Sequence, residues 1–169
     1  MNFYTFKRGT VVMADFSPQV GSELRGKHFA IVLNKKDSKY NELLTVIPLT
    51  SKEHKNHLDL GDEVKNSIYK IMSCVISNAN KDINNIQDPF NALEISTDFC
   101  DMQIEILKKY ASLKEHTYAK VNQITTISKR RIIKPVNVID PIRRLKISDK
   151  ALNQIDEKIL ETFTNIDIY

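Results

Sequence analysis

A chain of 169 residues, 41% hydrophobic and 27% charged, is long enough to bury one core and suits a single domain. Its net charge of +4 is uneven: residues 62–115 hold nine acidic and six basic residues, which leaves +7 on the remainder. A basic body beside a slightly acidic segment points to a polyanion partner or to a solvated basic face, and the two cysteines are too few for a disulfide framework.

The N-terminal Met-Asn-Phe-Tyr-Thr-Phe-Lys-Arg does not read as a signal peptide, and no apolar run approaches the roughly 20 residues that span a bilayer. The expected location is the cytoplasm. Residues 10–16, Thr-Val-Val-Met-Ala-Asp-Phe, are β-branched and apolar between Gly9 and Ser17-Pro18, which predicts a strand. A polar loop with Gly21 and Gly26 follows. Residues 28–33, His-Phe-Ala-Ile-Val-Leu, predict a second strand with both faces covered. A polar, turn-rich stretch leads to a third strand at 43–49, where Pro48 predicts an edge or a bulge. A short strand is expected at 55–60, ending at Gly61.

From residue 62 the period changes. Val64, Ile68, Ile71, Met72, Val75 and Ile76 recur at helical spacing, as do Phe99, Met102, Ile106, Leu107 and Tyr110. Asn-Asn-Ile-Gln-Asp-Pro at 84–89 separates them, so 62–115 reads as a helical hairpin set into one domain of residues 1–169. Cys74 and Cys100 lie in apolar stretches of this segment, the setting that free buried cysteines favour. Strand character returns at 117–127, and residues 129–146 hold seven Lys or Arg against one acid. Ser148 is placed to cap a closing helix with Leu152, Ile155, Ile159 and Phe163 on one face. Short early strands with no helix between them, a turn-rich polar loop between the first two, and one terminal helix predict a mainly β fold with α: a small barrel with helical packing on it.

Three segments carry side chains suited to chemistry. In the loop at 21–28, Arg25 and Lys27 can grip phosphate, and His28 can move a proton near neutral pH. The same residues also fit a hairpin loop with solvated charges. Thr50 and Ser51 end the third strand beside Lys52, where hydroxyls donate to a phosphate oxygen or simply form a turn. In the late strand, alternation puts Lys120 and Asn122 on one face. No phosphate-binding loop, nucleophile elbow, zinc signature or carboxylate pair stands out.

The run Arg8-Gly9-Thr10-Val11-Val12-Met13-Ala14-Asp15-Phe16-Ser17-Pro18-Gln19-Val20-Gly21-Ser22-Glu23 resembles the opening strand and loop of the MazF/PemK toxins, whose pattern reads "RGDV…ADLSPVVGSEQ". Gly26-Lys27-His28-Phe29-Ala30-Ile31-Val32-Leu33 is similar to that family's next strand, and Val46-Ile47-Pro48-Leu49-Thr50-Ser51 to the strand after it. Residues 119–127 resemble its late strand, and the closing helix fits as well. The likeness covers roughly 1–61 and 116–164; the short members have no counterpart of 62–115.

The resemblance implies an SH3-like barrel of the CcdB/MazF type and a homodimer with an RNA groove at its interface. It implies metal-independent cleavage of single-stranded RNA with no cofactor, by attack of the neighbouring 2′-hydroxyl. It also implies a small antitoxin protein as partner. The family's catalytic Arg falls at His28 and its catalytic Thr or Ser at Thr50, with Arg25 placed to take over the cationic role. A late Arg and Asp of one branch read Lys120 and Asn122, and Asn122 cannot serve as a carboxylate base. RNA contacts are expected from Ser22, Glu23, Lys27, Ser51, Lys52, Lys120, Asn122, Arg130 and Arg131. His28 and Asn122 also fit a non-catalytic barrel that binds RNA or a protein. A gyrase-poisoning toxin is a third reading, against which the Gly-Ser-Glu loop and Thr50 argue.

Overall fold

The computed structural model describes residues 2–17 and 24–164. Six strands and three α-helices follow in the order β1 (Val11–Asp15), β2 (Lys27–Val32), β3 (Leu43–Thr50), β4 (Leu58–Asp59), α1 (Glu63–Asn84), α2 (Pro89–Tyr110), β5 (Tyr118–Ala119), β6 (Thr125–Ser128) and α3 (Asp149–Phe163). All strand pairs are antiparallel. β1 pairs with β2 and β2 with β3, while the other edge of β3 is shared by β6 along its first half and β5 along its end. A bridge between Ala14 and Ile132, just past β6, with Ile133 N–H donating to the Met13 carbonyl, joins the last strand's continuation to β1. That contact curls the sheet on itself as a small barrel, which removes exposed edges.

The alternation of β1, β2 and β3 sorts two cores. Val12, Ala14, Ala30, Val32, Leu44 and Val46 form one, with Phe16 and Ile127. Val11, Ile31, Ile47 and Leu49 face the other way and meet Val64 and Ile68 of α1 and Ala151 and Ile155 of α3. Gly9 opens β1 in the left-handed region at φ 81°, with the Lys146 side chain 3.3 Å from where a Cβ would stand. Ser148 caps α3, its hydroxyl accepting from Ala151 N–H at 3.2 Å, and Phe163 at the helix end is exposed rather than packed.

Pro48 is not at an edge. It sits within β3, paired with Ala30, and its carbonyl accepts Lys120 N–H at 2.9 Å. β5 ends opposite Leu49 and β6 begins opposite Val46. The missing N–H of Pro48 therefore falls at the gap between two partner strands and costs no ladder bond. That gap also corrects the late strand: a 3₁₀ turn at Val121–Gln123 divides β5 from β6. Buried Val121 is turned into the core there, so Lys120 and Asn122 do not share a strand face. Cys74 and Cys100 are both exposed, each on the outer side of its helix.

Candidate functional site

One row of residues crosses the sheet at a single end of the barrel. Ala14 pairs with His28, Thr50 with Tyr118, and Tyr118 with Asp59. Continuing the Ala30–Pro48 register by two residues sets His28 across from Thr50. His28 and Thr50 thus extend the inward-facing rows of β2 and β3 beyond the packed core, where the barrel opens.

A cavity of about 200 Å³ opens at this end. β2 contributes Lys27 and His28, and β3 and its exit contribute Thr50 and Ser51. The remaining wall comes from a segment not singled out by the sequence: Lys109 and Tyr110 at the end of α2, then Lys114 and His116 before β5. Tyr110 lies parallel to Phe29 of β2, ring centroids 6.2 Å apart, which docks the end of α2 beside the opening. His116 Nδ1 stands 3.7 Å from an Asp59 carboxylate oxygen. The sequence signal for this wall is thin. Residues 109–117 carry no motif, and only their position directly before the family-like late strand places them here.

His28 is half-buried, its Nε2 2.8 Å from the Arg25 carbonyl and its ring edge-on to Phe16. A carbonyl only accepts, so Nε2 carries the proton and Nδ1 of the neutral ring is the basic nitrogen. Arg25 is exposed in the loop before β2. That loop is pinned at its base: Phe16 N–H donates to the Gly26 carbonyl, and Gly26 N–H to the Ser17 hydroxyl at 3.0 Å. The Ser17 backbone N–H, with further help from its hydroxyl, holds the Asp15 carboxyl below its ordinary range, with Lys27 and Arg131 adding to the effect. Arg131 therefore lies at the His28 end of β1. Ser22 and Glu23 lie outside the described residues.

Thr50 Oγ1 accepts Lys52 N–H at 3.1 Å, a turn-forming bond that leaves the hydroxyl proton to donate elsewhere. Ser51 and Lys52 are exposed beside it. Lys120 donates to Gln123 Oε1 at 3.0 Å. Burial, and then the neighbouring Lys52 ammonium, pull the Lys120 pKa below its ordinary value. Two cations close enough to disfavour each other, next to an available hydroxyl, suit an anion.

The rest of the basic run disperses. Lys129 is buried, its ammonium 2.7 Å from Asp37. Arg130 pairs with Glu42 at 3.1 Å, near the start of β3 and a strand's length from Thr50. Asn122 is exposed on the 3₁₀ turn. Among the described residues no three His, Cys, Asp or Glu side chains group as metal ligands, and no helix is long and apolar enough to cross a membrane.

A sequence model of the family described as PemK-like, MazF-like toxin of type II toxin-antitoxin system matches residues 7–163. No curated protein matches the sequence. Among solved structures, the fold is similar to that of MazF (Form-I) from Deinococcus radiodurans, with a TM-score of 0.51 at 12% identity, over 94% of this chain and 96% of that one. At this identity the likeness concerns the fold, six antiparallel strands with three helices.

Proposed function

The chain belongs to the PemK-like, MazF-like toxins of type II toxin-antitoxin systems, and from that premise we propose that it is an endoribonuclease that cuts single-stranded RNA at the His28–Thr50 end of the barrel. The observation that carries this reading is the convergence of a histidine, an available hydroxyl and several lysines on one opening.

Cleavage by the neighbouring 2′-hydroxyl needs a base for that proton, charge on the phosphate oxygens and an acid for the leaving 5′-oxygen. His28 takes the proton at Nδ1 while Nε2 stays anchored on the Arg25 carbonyl. Thr50 donates its hydroxyl proton to a phosphate oxygen, and Lys52 and Lys120 supply positive charge from the same side. Lys27, Arg25 and Arg131 extend the basic surface along the loop side. A proton-transfer group of this kind contributes typically ~10²–10⁴-fold. The bond to phosphorus from the 2′-oxygen forms as the bond to the 5′-oxygen breaks, and the leaving 5′-oxygen takes its proton from water at the open end of the barrel, so the products carry a 2′,3′-cyclic phosphate and a free 5′-hydroxyl. The antitoxin, a homodimer and a cytoplasmic location belong to the same proposal, carried by the family.

Incubating purified protein with single-stranded RNA in EDTA tests it. Fragments with those two end groups are expected, and intact RNA overturns the reading. The His28 bond to Arg25 favours a second reading, a barrel that binds RNA without cutting it. RNA retained on the protein and recovered uncut would establish that one.

A further inference from the structure

Water alone is a weak acid for a leaving 5′-oxygen, and a stronger acid one water away speeds such a step by ~10²–10⁴-fold. His28 takes up a proton and does not give one in the same step. Tyr118, paired with Thr50, is a poor donor, because burial and then the Asp59 and Glu53 carboxylates raise its pKa. Lys109 is committed to Asp140. On that wall of the opening Lys114 and His116 remain. His116 stands two residues before Tyr118. Thr117 between them is buried and pairs its backbone with Leu60 and Gly61, so alternation carries through and sets His116 on the face of Tyr118. The two rings lie 27° from parallel with centroids 6.4 Å apart. Tyr118 pairs with Thr50, and the register sets Thr50 across from His28, so the two histidines share one face with Thr50 between them. Two strand spacings across the sheet and two residues along β5 put their backbones roughly 12 Å apart. One phosphate and one water fit in that span.

We propose that His116 is the acid of the cleavage step, passing a proton from Nε2 through one water to the leaving 5′-oxygen, with Asp59 as its positioning residue. The proposal rests on the nuclease reading of the opening. His116 Nδ1 faces an Asp59 carboxylate oxygen at 3.7 Å, and that carboxylate is itself fixed by accepting Gly61 N–H at 2.7 Å. A carboxylate beside Nδ1 keeps a proton on that nitrogen and orients the ring. Nε2, on the other side of the ring, has no protein partner among the described residues. The two side chains are 60% and 56% accessible, and a pair so exposed does little for stability, so folding does not account for it. In the cleavage step Nε2–H gives its proton to the water as the water gives one to the 5′-oxygen. The ring is left neutral, with Nδ1–H still toward Asp59. His28 has meanwhile gained the proton of the 2′-hydroxyl, and exchange with solvent resets both rings.

Two short RNAs decide, one natural and one with sulfur in place of the bridging 5′-oxygen at the linkage that the wild type cuts. A thiolate leaves without help from an acid, and an alkoxide needs it. His116→Gln is expected to lose at least roughly 10²-fold on the oxygen linkage and to stay within a few-fold of the wild type on the sulfur one, which also shows the variant to be folded. Asp59→Asn, which can still accept from Gly61, is expected to show the same selectivity at smaller size. His28→Gln and Lys114→Met are expected to slow both linkages alike. A His116→Gln variant that cuts the oxygen linkage at the wild-type rate overturns the proposal, and so does one that is slowed equally on both. A selective defect in Lys114→Met moves the acid to Lys114 and overturns it as well. Natural RNA left intact by the wild type overturns the nuclease reading and this proposal with it, whereas natural RNA cut equally well by wild type and His116→Gln overturns this proposal alone.

Discussion

The Tyr110 hydroxyl donates to the Asp140 carboxylate at 2.6 Å, tying the end of α2 that lines the opening to a 3₁₀ turn that begins one residue later at Pro141. The carboxylate is fully buried and also accepts from Lys109 at 2.5 Å and from the backbone N–H groups of Val136 and Ile142. Burial alone would raise its pKa, but these four donors outweigh it and hold the group below its ordinary value. Burial, and then the same carboxylate, push the Tyr110 hydroxyl far above its ordinary value, so it stays a donor.

A carboxylate with a depressed folded pKa contributes stability that is complete above its unfolded value near 3.8 and is lost as pH falls through the lower folded value. Urea midpoints of the wild type are therefore expected to drop on acidification below about pH 4. Asp140→Asn removes the charge that Lys109 faces and is expected to cost about 3 kcal/mol at neutral pH and to flatten the acid slope. Equal acid slopes in the two proteins would show that Asp140 does not anchor α2.

Lys129 belongs to the core rather than to any RNA surface. Its ammonium meets Asp37 at 2.7 Å and the Ser38 carbonyl at 3.1 Å, while Asp37 also accepts Phe6 N–H. Lys129→Met strands a buried carboxylate and is expected to destabilise the fold by about 3–5 kcal/mol. RNA affinity of the folded fraction should not change, and a loss of affinity at constant stability would place Lys129 on the binding surface instead.

Lys52 and Lys120 are expected to act together on phosphate, since each lies in the field of the other. Each phosphate contact removed lowers the slope of log affinity against log salt by about 0.7 for a single strand. The Lys52→Ala, Lys120→Ala pair should lower it by about 1.4, measured by fluorescence titration with a short uncleavable RNA. Arg130→Ala, whose partner is Glu42, should leave the slope in place.

The three long strands were legible because their apolar residues are local and repetitive. Val11 to Phe16 and Ala30 to Val32 need only neighbours on their own strand to declare a face. The two helices of 62–115 showed through their spacing in the same way. The late strand misled because its break is set elsewhere in the chain, by Pro48 on β3, so alternation could not assign Lys120 and Asn122. The cysteines misled because apolar neighbours in sequence are not neighbours on a helix: Cys100 follows buried Phe99 by 100° of rotation. The basic run misled because charge says nothing of direction, and Lys129 points inward to Asp37. His28 and Thr50 were found by likeness to a family pattern; their shared row became visible only in the strand register. His116 and Lys114 had no such pattern, and tertiary packing of α2 alone brings them to the opening.

His28 carries the sharpest test, because its geometry allows two roles with opposite outcomes. Its Nε2–H holds the Arg25 carbonyl at 2.8 Å, which positions the loop before β2, and its Nδ1 is then the group that would take a proton. His28→Ala removes both. His28→Gln separates them, since a side-chain amide can still donate to the Arg25 carbonyl but cannot transfer a proton near neutral pH. If His28 is catalytic, both variants lose cleavage by at least roughly 10²-fold while Gln keeps the stability and RNA affinity of the wild type. Thr50→Ala should then lower the rate by roughly 10²–10³-fold, with Thr50→Ser restoring most of it, as expected of a hydroxyl facing developing charge. Arg25→Ala should weaken binding and cleavage together, because a cation in the loop grips the ground state as well. If His28 only ties the loop, Gln retains cleavage and Ala loses stability with no change in the specific activity of the folded fraction. That pattern, in single-turnover assays paired with urea unfolding, would remove His28 from the mechanism.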